Sequence, residues 1–320
     1  ASLTDPLGRC GSLRNYYPSP HPPPTNPTTQ PARERRGCRY NRSNKEDVPR
    51  LHDTTTIAMR TIAIMNQKGG VGKTTTAVNL AAALAAVGQR VCLIDLDPQA
   101  HATLHLGLEA GGGQPSVYDV LVGDARFSSA CYAAGERLAV AASAIDLAAA
   151  ELHLAGRDGR ELVLRDKLHA DPPEADFLLV DCPPSLGLLT LNALAAAGEV
   201  LIPLQPQFLA LHGLGKLLET IRAVAERLNP GLRLTGVAFC MYDTGTRLAT
   251  EVRQDVEAFF QAARGSGTPW AKAIVFRTRI RRNIRLAEAP SFGQSILQYA
   301  RTSHGAEDYQ ALAEELLRTP

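Results

Sequence analysis

Apolar runs of strand length alternate with longer amphipathic stretches from residue 59 onward. The run "DFLLVD" at 176–181 is apolar at nearly every inner position, which is typical of a strand buried on both faces. The stretch at 74–87 has helical length and periodicity and ends at Gly88. Because buried strands separated by helices build parallel sheets, we predict a three-layer α/β fold, with a mostly parallel twisted sheet and helices on both faces. The predicted strands are 61–66, 90–95, 137–142, 176–181, 199–205, 234–241 and 272–276.

The first 58 residues differ in composition from the rest of the chain. They hold nine of the 21 prolines and few branched aliphatic residues, with nine basic against five acidic residues. Such a segment cannot bury enough apolar surface to offset its chain entropy, so we predict that 1–58 is disordered and that 59–320 forms one domain. Met59 precedes the first strand and is a candidate natural start, which would make 1–58 a non-native extension. A basic arm that contacts nucleic acid is the alternative.

The six cysteines form no C-x-x-C pair and show no metal-ligand spacing. Most of them lie in apolar runs, where cysteine behaves as a small hydrophobic residue, and this favours a reducing, cytoplasmic setting. The sequence contains no uninterrupted apolar stretch of about eighteen residues, the length that a membrane-spanning helix needs. We therefore expect a cytoplasmic protein without a membrane span.

A glycine-rich segment, "QKGGVGKTTTAVNL", follows the first predicted strand and opens a helix. Backbone N–H groups in such a loop and the positive end of the following helix together bind phosphate. Lys73 is expected to reach the β- and γ-phosphates of a nucleotide, and the Thr74 hydroxyl to ligate Mg²⁺. A glycine-rich turn without a ligand is the weaker alternative. The predicted nucleotide-binding residues are Lys68, Gly69, Gly70, Val71, Gly72, Lys73, Thr74 and Thr75.

The segment departs from the standard phosphate-loop pattern G-x-x-x-x-G-K-[ST] at its start. Gln67 stands where the first glycine belongs, and an additional lysine, Lys68, follows it. We expect Lys68 to point away from its own loop, which leaves its charge available to a nucleotide held by a second subunit.

Three aspartates end predicted strands: Asp95 and Asp97 in "LIDLDPQA", and Asp181 in "FLLVDCPP". The carboxyl ends of parallel strands meet at one edge of a sheet, so these carboxylates are expected beside the phosphate loop. There they can bind Mg²⁺ or orient an attacking water molecule. Aspartate at a strand end is also a common cap or turn former, which is the alternative for each residue taken singly.

The motifs "KGGVGKTTTAVNL", "LIDLDPQA", "DCPPSLGLLTLNAL", "LIPLQPQFLALHGLGKLLETI" and "RNIRLAEAPSFGQSILQY" resemble those of the ParA/Soj partition proteins. These are deviant Walker A ATPases of the MinD/ParA superfamily, and the resemblance covers essentially all of residues 60–318. It implies a P-loop NTPase fold that uses ATP and Mg²⁺.

The resemblance also implies roles for single residues. In this family the additional lysine, here Lys68, crosses the interface of a nucleotide-sandwich homodimer and contacts the partner's ATP. Asp97 would position the nucleophile, and Asp95 and Asp181 would join Thr74 in holding the metal. The predicted catalytic residues are Lys68, Lys73 and Asp97, and the predicted metal-binding residues are Thr74, Asp95 and Asp181.

Residues 258–287 contain seven basic residues and no acidic residue. Such a cluster predicts a positive patch that binds the phosphate backbone of DNA without reading bases, as the resemblance implies for the ATP-bound dimer. A solvated face without a partner is the alternative. Many relatives have I-P-R-N where this chain has residues 280–283, so we expect a loop near the nucleotide base that is more basic and less rigid. The candidate DNA-binding residues are Arg247, Arg277, Arg279, Arg281, Arg282 and Arg285.

By the same resemblance, a centromere-binding ParB protein would stimulate slow ATP hydrolysis and release the protein from the nucleoid. ParA-like positioning of another cargo uses the same ATPase and remains an alternative. A MinD-like division regulator would need a basic amphipathic helix at the C-terminus, whereas the tail "GAEDYQALAEELLRTP" is acidic. An electron-transfer reductase resembling the nitrogenase iron protein would need paired cluster cysteines, and Cys131 and Cys182 lack the surrounding motif.

Overall fold

A single eight-stranded sheet organises the part of the chain that the computed structural model describes, residues 59–111 and 113–319. The order across the sheet is β3-β4-β2-β5-β1-β6-β7-β8, and every neighbouring pair is parallel except β3 with β4. The disorder predicted for 1–58 lies outside the described residues. The strands are β1 (Arg60–Ile64), β2 (Val91–Asp95), β3 (Cys131–Ala133), β4 (Leu138–Ala141), β5 (Phe177–Asp181), β6 (Glu199–Leu204), β7 (Arg233–Tyr242) and β8 (Ile274–Arg281).

Helices cover both faces of this sheet, so the predicted three-layer α/β fold is confirmed. Alternate residues of one strand enter different cores: Cys92 and Ile94 of β2 belong to one buried cluster, and Val91 and Leu93 to the other. The helices are α1 (Lys73–Ala86), α2 (His101–His105), α3 (Val117–Leu121), α4 (Ala150–Leu154), α5 (Val163–Ala170), α6 (Leu188–Ala196), α7 (Ala210–Arg227), α8 (Arg247–Ala262), α9 (Ile284–Glu288), α10 (Ile296–Tyr299) and α11 (His304–Leu317).

The seven predicted strands are all present, and two differences have physical reasons. The short edge strand β3 was not predicted, because three residues carry too little pattern to stand out. Strand β8 continues to Arg281, five residues beyond the predicted end, because polar residues alternate with apolar ones on this edge strand of the sheet.

Strand register brings the predicted site residues to one edge of the sheet. Asp181 at the end of β5 is the register partner of Ile64 on one side and of Asp95 on the other. The glycine-rich loop leaves β1 at this edge and enters α1. The register therefore places the loop and two of the aspartates side by side.

At the amino end of the strands, Arg60 at the start of β1 connects the sheet to α11. Its guanidinium binds the buried Glu199 at 2.7 Å and donates to the backbone oxygens of Leu316 and Thr319. Glu199 also accepts a hydrogen bond from the Thr235 hydroxyl at 2.5 Å. In the described part of the chain, no helix combines the length and the hydropathy that crossing a membrane requires.

Candidate functional site

The glycine-rich loop between β1 and α1 has the backbone of an anion-binding loop. Gly70 (φ 72°) and Gly72 (φ 92°) adopt left-handed conformations that L side chains rarely tolerate. A Cβ atom on Gly69 or Gly70 would meet no atom within 4 Å, so packing does not explain glycine there. Gly72 begins α1 without a side-chain cap, which leaves the first N–H groups of the helix for a ligand.

Lys73, the first residue of α1, is only 7% exposed. Its Nζ lies 3.4 Å from the backbone oxygen of Lys68, a long contact for a buried cation. Burial lowers the pKa of Lys73, while the carboxylates of Asp181 and Asp97 act in the opposite direction. A phosphate group in the loop would give this buried charge a partner.

Asp181 is completely buried, and neither of its carboxylate oxygens accepts a hydrogen bond of good geometry from the described residues. Burial raises its pKa well above the usual value, and Asp95 raises it further, whereas the nearby Thr74 hydroxyl lowers it. A buried carboxylate without donors beside a hydroxyl is a set of hard oxygen ligands, which suits Mg²⁺. The residues present therefore fit the predicted metal.

Asp95 has a different environment, although its burial is equally complete. Its Oδ2 accepts hydrogen bonds from the Thr103 amide at 2.8 Å and the Thr103 hydroxyl at 2.7 Å, and its Oδ1 accepts from the Asp97 amide at 3.3 Å. Burial raises the pKa of Asp95 to about 6. Asp95 thus holds the turn that carries Asp97.

Asp97 lies at the start of that turn and is 7% exposed. Its Oδ1 accepts a hydrogen bond from the Gln99 amide at 3.0 Å, and its backbone oxygen accepts one from the Ser143 hydroxyl at 2.8 Å. These contacts fix the backbone and one carboxylate oxygen of the residue to which the family resemblance assigns the attacking water.

Lys68 and Lys73 belong to one loop but have opposite environments. The Lys68 side chain is exposed, and its Nζ contacts the side-chain oxygen of Gln207 beyond β6. Its backbone is fixed, because the amide of Lys68 donates to Asn66 Oδ1 at 3.0 Å while Asn66 Nδ2 donates to the backbone oxygen of Pro203 at 2.7 Å. The loop therefore presents one lysine inward and one at the surface.

An apolar pocket of about 490 Å³ adjoins the loop at Gly72 and Thr75. Its other walls come from the end of β7 and from residues 280–287, which we call the pocket wall. Met241 lines it in a left-handed conformation (φ 48°), which is uncommon for a residue with a side chain. Sequence reasoning did not identify Met241, since a strained backbone leaves no signal in an apolar strand.

The fold brings acidic residues against the basic cluster, although the cluster itself contains none. Asp308 of α11 forms an ion pair with Arg281 at 2.6 Å. Glu315 of the same helix accepts hydrogen bonds from the backbone amides of Arg277 and Thr278. Part of the positive charge expected from the sequence is therefore already balanced within the chain.

The other candidate DNA-binding residues differ in how far they are engaged. Arg285 pairs with Glu288 at 2.8 Å, and the guanidinium of Arg279 lies over the Tyr242 ring at 4.9 Å. Arg247 is 96% exposed and lies 3.9 Å from Glu251. Arg282 is exposed and forms no ion pair with any residue that the structure describes.

Sequence comparison finds related proteins along most of the chain. A family profile described as an AAA domain matches residues 59–234. The sporulation initiation inhibitor protein Soj of Bacillus subtilis is 46% identical over 256 residues, which is 80% of this chain and 97% of that protein. The chromosome partitioning protein ParA of Myxococcus xanthus is 44% identical over 260 residues, which is 81% of this chain and 88% of that protein.

Solved structures with the same fold contain nucleotide and magnesium. Cobyrinic acid a,c-diamide synthase from Mycobacterium smegmatis, with a bound ATP analog and magnesium, is 39% identical with a TM-score of 0.69, covering 81% of this chain and 94% of that one. The septum site-determining protein MinD of Pyrococcus horikoshii, complexed with Mg-ADP, is 26% identical with a TM-score of 0.63, covering 81% and 96%. Together with the loop geometry and the relatives above, these matches show that the chain belongs to the ParA/Soj family of P-loop partitioning ATPases.

Proposed function

We propose that this protein is a Mg²⁺-dependent ATPase that partitions DNA, and that its ATP-bound dimer binds DNA without sequence preference. The observation that carries the proposal is that two buried charged residues, Lys73 and an Asp181 that has no donor of good geometry, both lie beside the glycine loop. A phosphate and a cation would satisfy the two charges together. The family membership supports the partitioning role.

ATP and Mg²⁺ are the cofactors of this site. The amides of the loop from Gly69 to Thr75 and the Lys73 ammonium would bind the phosphates, and the apolar pocket beside Thr75 would take the base. Asp181 and the Thr74 hydroxyl would hold the metal, with Asp95 in support. Bound Mg²⁺ supplies charge stabilisation of the phosphate oxygens. Asp97, whose position is fixed through Gln99 and Ser143, would orient the attacking water.

Exposed apolar residues support a second copy of the chain as the cover of this edge. They lie in segments that follow β4, β5 and β6, and Phe208 at 86% exposure is next in sequence to Gln207, the contact of Lys68. Exposed apolar side chains favour association with another surface. The others are Ile145, Leu152, Leu186 and Leu209. Lys68, on the surface of the same edge, would then act on the partner's nucleotide.

Hydrolysis by such a site is expected to be slow until a partner acts, because catalysis depends on positioning and charge stabilisation. A ParB-type centromere-binding protein is the proposed activator, and the nucleoid in the cytoplasm the proposed location. ParA-like transport of another cargo remains the alternative. The MinD-like alternative is disfavoured because α11 buries its apolar residues Tyr309, Leu312 and Leu316 within the domain, so this helix does not offer them to a lipid surface.

The decisive experiment combines subunit mass with DNA binding. With a non-hydrolysable ATP analog and Mg²⁺, the wild-type protein should become a dimer and bind random-sequence DNA in a salt-sensitive manner. Lys68→Ala should bind ATP yet remain a monomer and lose DNA binding and hydrolysis. Lys216→Ala, an exposed lysine on α7, is the matched control and should behave as wild type. A wild-type protein that stays monomeric under these conditions contradicts the proposal.

A further inference from the structure

An ion pair between Arg281 of β8 and Asp308 of α11 holds the pocket wall near its N-terminal end. Asp308, 7% exposed, accepts a hydrogen bond from the backbone amide of Arg281 at 2.9 Å. The same carboxylate accepts from the Arg281 side chain, with Nε at 3.0 Å and Nη2 at 2.6 Å from Oδ1. One carboxylate thus fixes both the backbone and the side chain of the last residue of β8.

The wall is also fixed just beyond this point. The side-chain oxygen of Asn283 accepts a hydrogen bond from the Arg285 amide at 2.8 Å and caps α9, so the chain enters that helix at a fixed angle. Arg281 and Asn283 therefore hold the backbone on both sides of Arg282. The segment near the base is more constrained than its sequence predicts, because the carboxylate that constrains it comes from a different helix.

Helix α11 connects this wall to the phosphate loop. Tyr309, the neighbour of Asp308, is 1% exposed and lines the apolar pocket. Its hydroxyl lies 3.2 Å from the Thr76 hydroxyl in the first turn of α1. Two consecutive residues of α11 therefore contact the two sides of the pocket, the wall and the helix that begins at Gly72.

The charge of Arg281 is already matched within the chain. Besides Asp308, the carboxylate of Glu307 lies 3.3 Å from its guanidinium. A DNA phosphate would have to compete with two carboxylates for this side chain. Arg277 differs, since its side chain is exposed and forms no ion pair with the described residues.

We propose that Arg281, held by Asp308, is a positioning residue of the nucleotide pocket and is not a DNA contact. The chain fixes its backbone at this point through an arginine and a carboxylate from α11. This inference rests on the proposed nucleotide site and revises the DNA-binding assignment of Arg281.

The first test measures ADP affinity in the presence of Mg²⁺, which requires neither dimer nor DNA. Arg281→Ala and Asp308→Asn should each raise the Kd for ADP and the KM for ATP roughly 3- to 10-fold, with a much smaller change in kcat. Arg318→Ala is the control, since it removes an exposed arginine–glutamate pair at the C-terminal end of α11. The Kd for ADP of the double variant Arg281→Ala/Asp308→Ala should not exceed the higher of the two single-variant values, because both changes remove the same interaction.

The second test measures binding to random-sequence DNA at saturating ATP. Arg281→Ala should keep wild-type affinity within about twofold, whereas Arg277→Ala should weaken binding and reduce its salt dependence. Arg281→Lys keeps the charge but lacks the planar fork, so it should weaken ADP binding and leave DNA binding unchanged. Unchanged ADP affinity in both Arg281 variants, or DNA binding lost in Arg281→Ala as in Arg277→Ala, overturns the inference. A wild-type protein that fails to bind DNA contradicts the proposed function and leaves the ADP comparison intact.

Discussion

Thr103 holds Asp95 through two hydrogen bonds, one from its amide at 2.8 Å and one from its hydroxyl at 2.7 Å, both to the same carboxylate oxygen. The hydroxyl oxygen also accepts a hydrogen bond from the Ser143 amide at 2.9 Å. A residue that the sequence did not single out thus joins the turn after β2 to the segment after β4. The arrangement separates two aspartates that the sequence treats alike, since Asp95 is saturated with donors and Asp181 has none of good geometry.

Replacing Thr103 with valine should therefore weaken the contacts that hold Asp95 and so destabilise the protein. The substitution keeps the shape of the side chain but removes a buried hydroxyl. Asp95 then loses one hydrogen bond, and the Ser143 amide loses its acceptor. The free energy of unfolding should fall by about 1–3 kcal/mol. Urea denaturation measures the loss, and Thr250→Val is the control because that exposed hydroxyl donates to the backbone oxygen of Thr246, the residue that caps α8. Equal stability of the two variants would show that the Thr103 hydroxyl is not needed.

Replacing Asp181 with asparagine should separate stability from activity. Asparagine removes a carboxylate whose charged form burial opposes, as its raised pKa indicates, so the protein without nucleotide should gain on the order of 1 kcal/mol of stability. Hydrolysis and the Mg²⁺ dependence of ATP binding should be lost. Thermal unfolding and ATPase assays measure the two effects, with the exposed Asp158→Asn as control. A variant that retains Mg²⁺-dependent hydrolysis would remove Asp181 from the metal site.

Replacing Gly69 with alanine should block the ligand without disturbing the fold. Gly69 lies outside the left-handed region, and an added Cβ would meet no atom within 4 Å, so stability should change by less than about 0.5 kcal/mol. Nucleotide binding should weaken at least tenfold if phosphate approaches this backbone closely. Gly88→Ala provides the reciprocal control: its φ of 95° predicts lost stability, and its position after α1 predicts normal nucleotide binding. Unchanged nucleotide affinity in Gly69→Ala would contradict the loop assignment.

The contacts of the buried Glu199 carboxylate with Arg60 and Thr235 predict how the stability of the protein depends on pH. Burial raises the pKa of Glu199, but hydrogen bonds from Arg60 and Thr235 outweigh burial, and the net pKa is below the usual 4.5. A carboxyl group whose pKa is lowered by folding stabilises the protein above its unfolded pKa, and this contribution is lost as pH falls through the folded value. Glu199→Gln should therefore be less stable than wild type at pH 7, with the difference shrinking below about pH 4.5. Urea midpoints from pH 3 to 7 test this, and a constant difference would contradict it.

Local pattern was sufficient to predict the parallel sheet and the phosphate loop. Strands such as 177–181 are apolar up to their last residue, and the loop residues are contiguous in the sequence, so neither prediction required knowledge of distant contacts. The environments of the aspartates depended on such contacts. Thr103, which donates two hydrogen bonds to Asp95, lies on a separate short helix. The residues that neighbour Asp181 in the sequence do not indicate that its oxygens lack donors of good geometry.

Charge was the least predictable property for the same reason. The segment 258–287 is purely basic when read along the chain, yet Asp308 and Glu315 lie against it because α11 returns along β8. Only the order of packed elements determines which acidic helix meets which basic strand. Arg281 was accordingly predicted as a DNA-binding residue, and in the structure it forms an ion pair with Asp308.

The position of α11 has a consequence for the synthesis of this protein. The ribosome makes β1 before α11, so Arg60 meets its partner Leu316 only 256 residues later, and β8 acquires Asp308 and Glu315 only when α11 has been made. A nascent chain therefore emerges with its central strands complete and one side of its sheet unfinished. Nucleotide binding is therefore expected only after α11 has been made and has packed, because this helix supplies Tyr309 to the pocket and Asp308 to its wall.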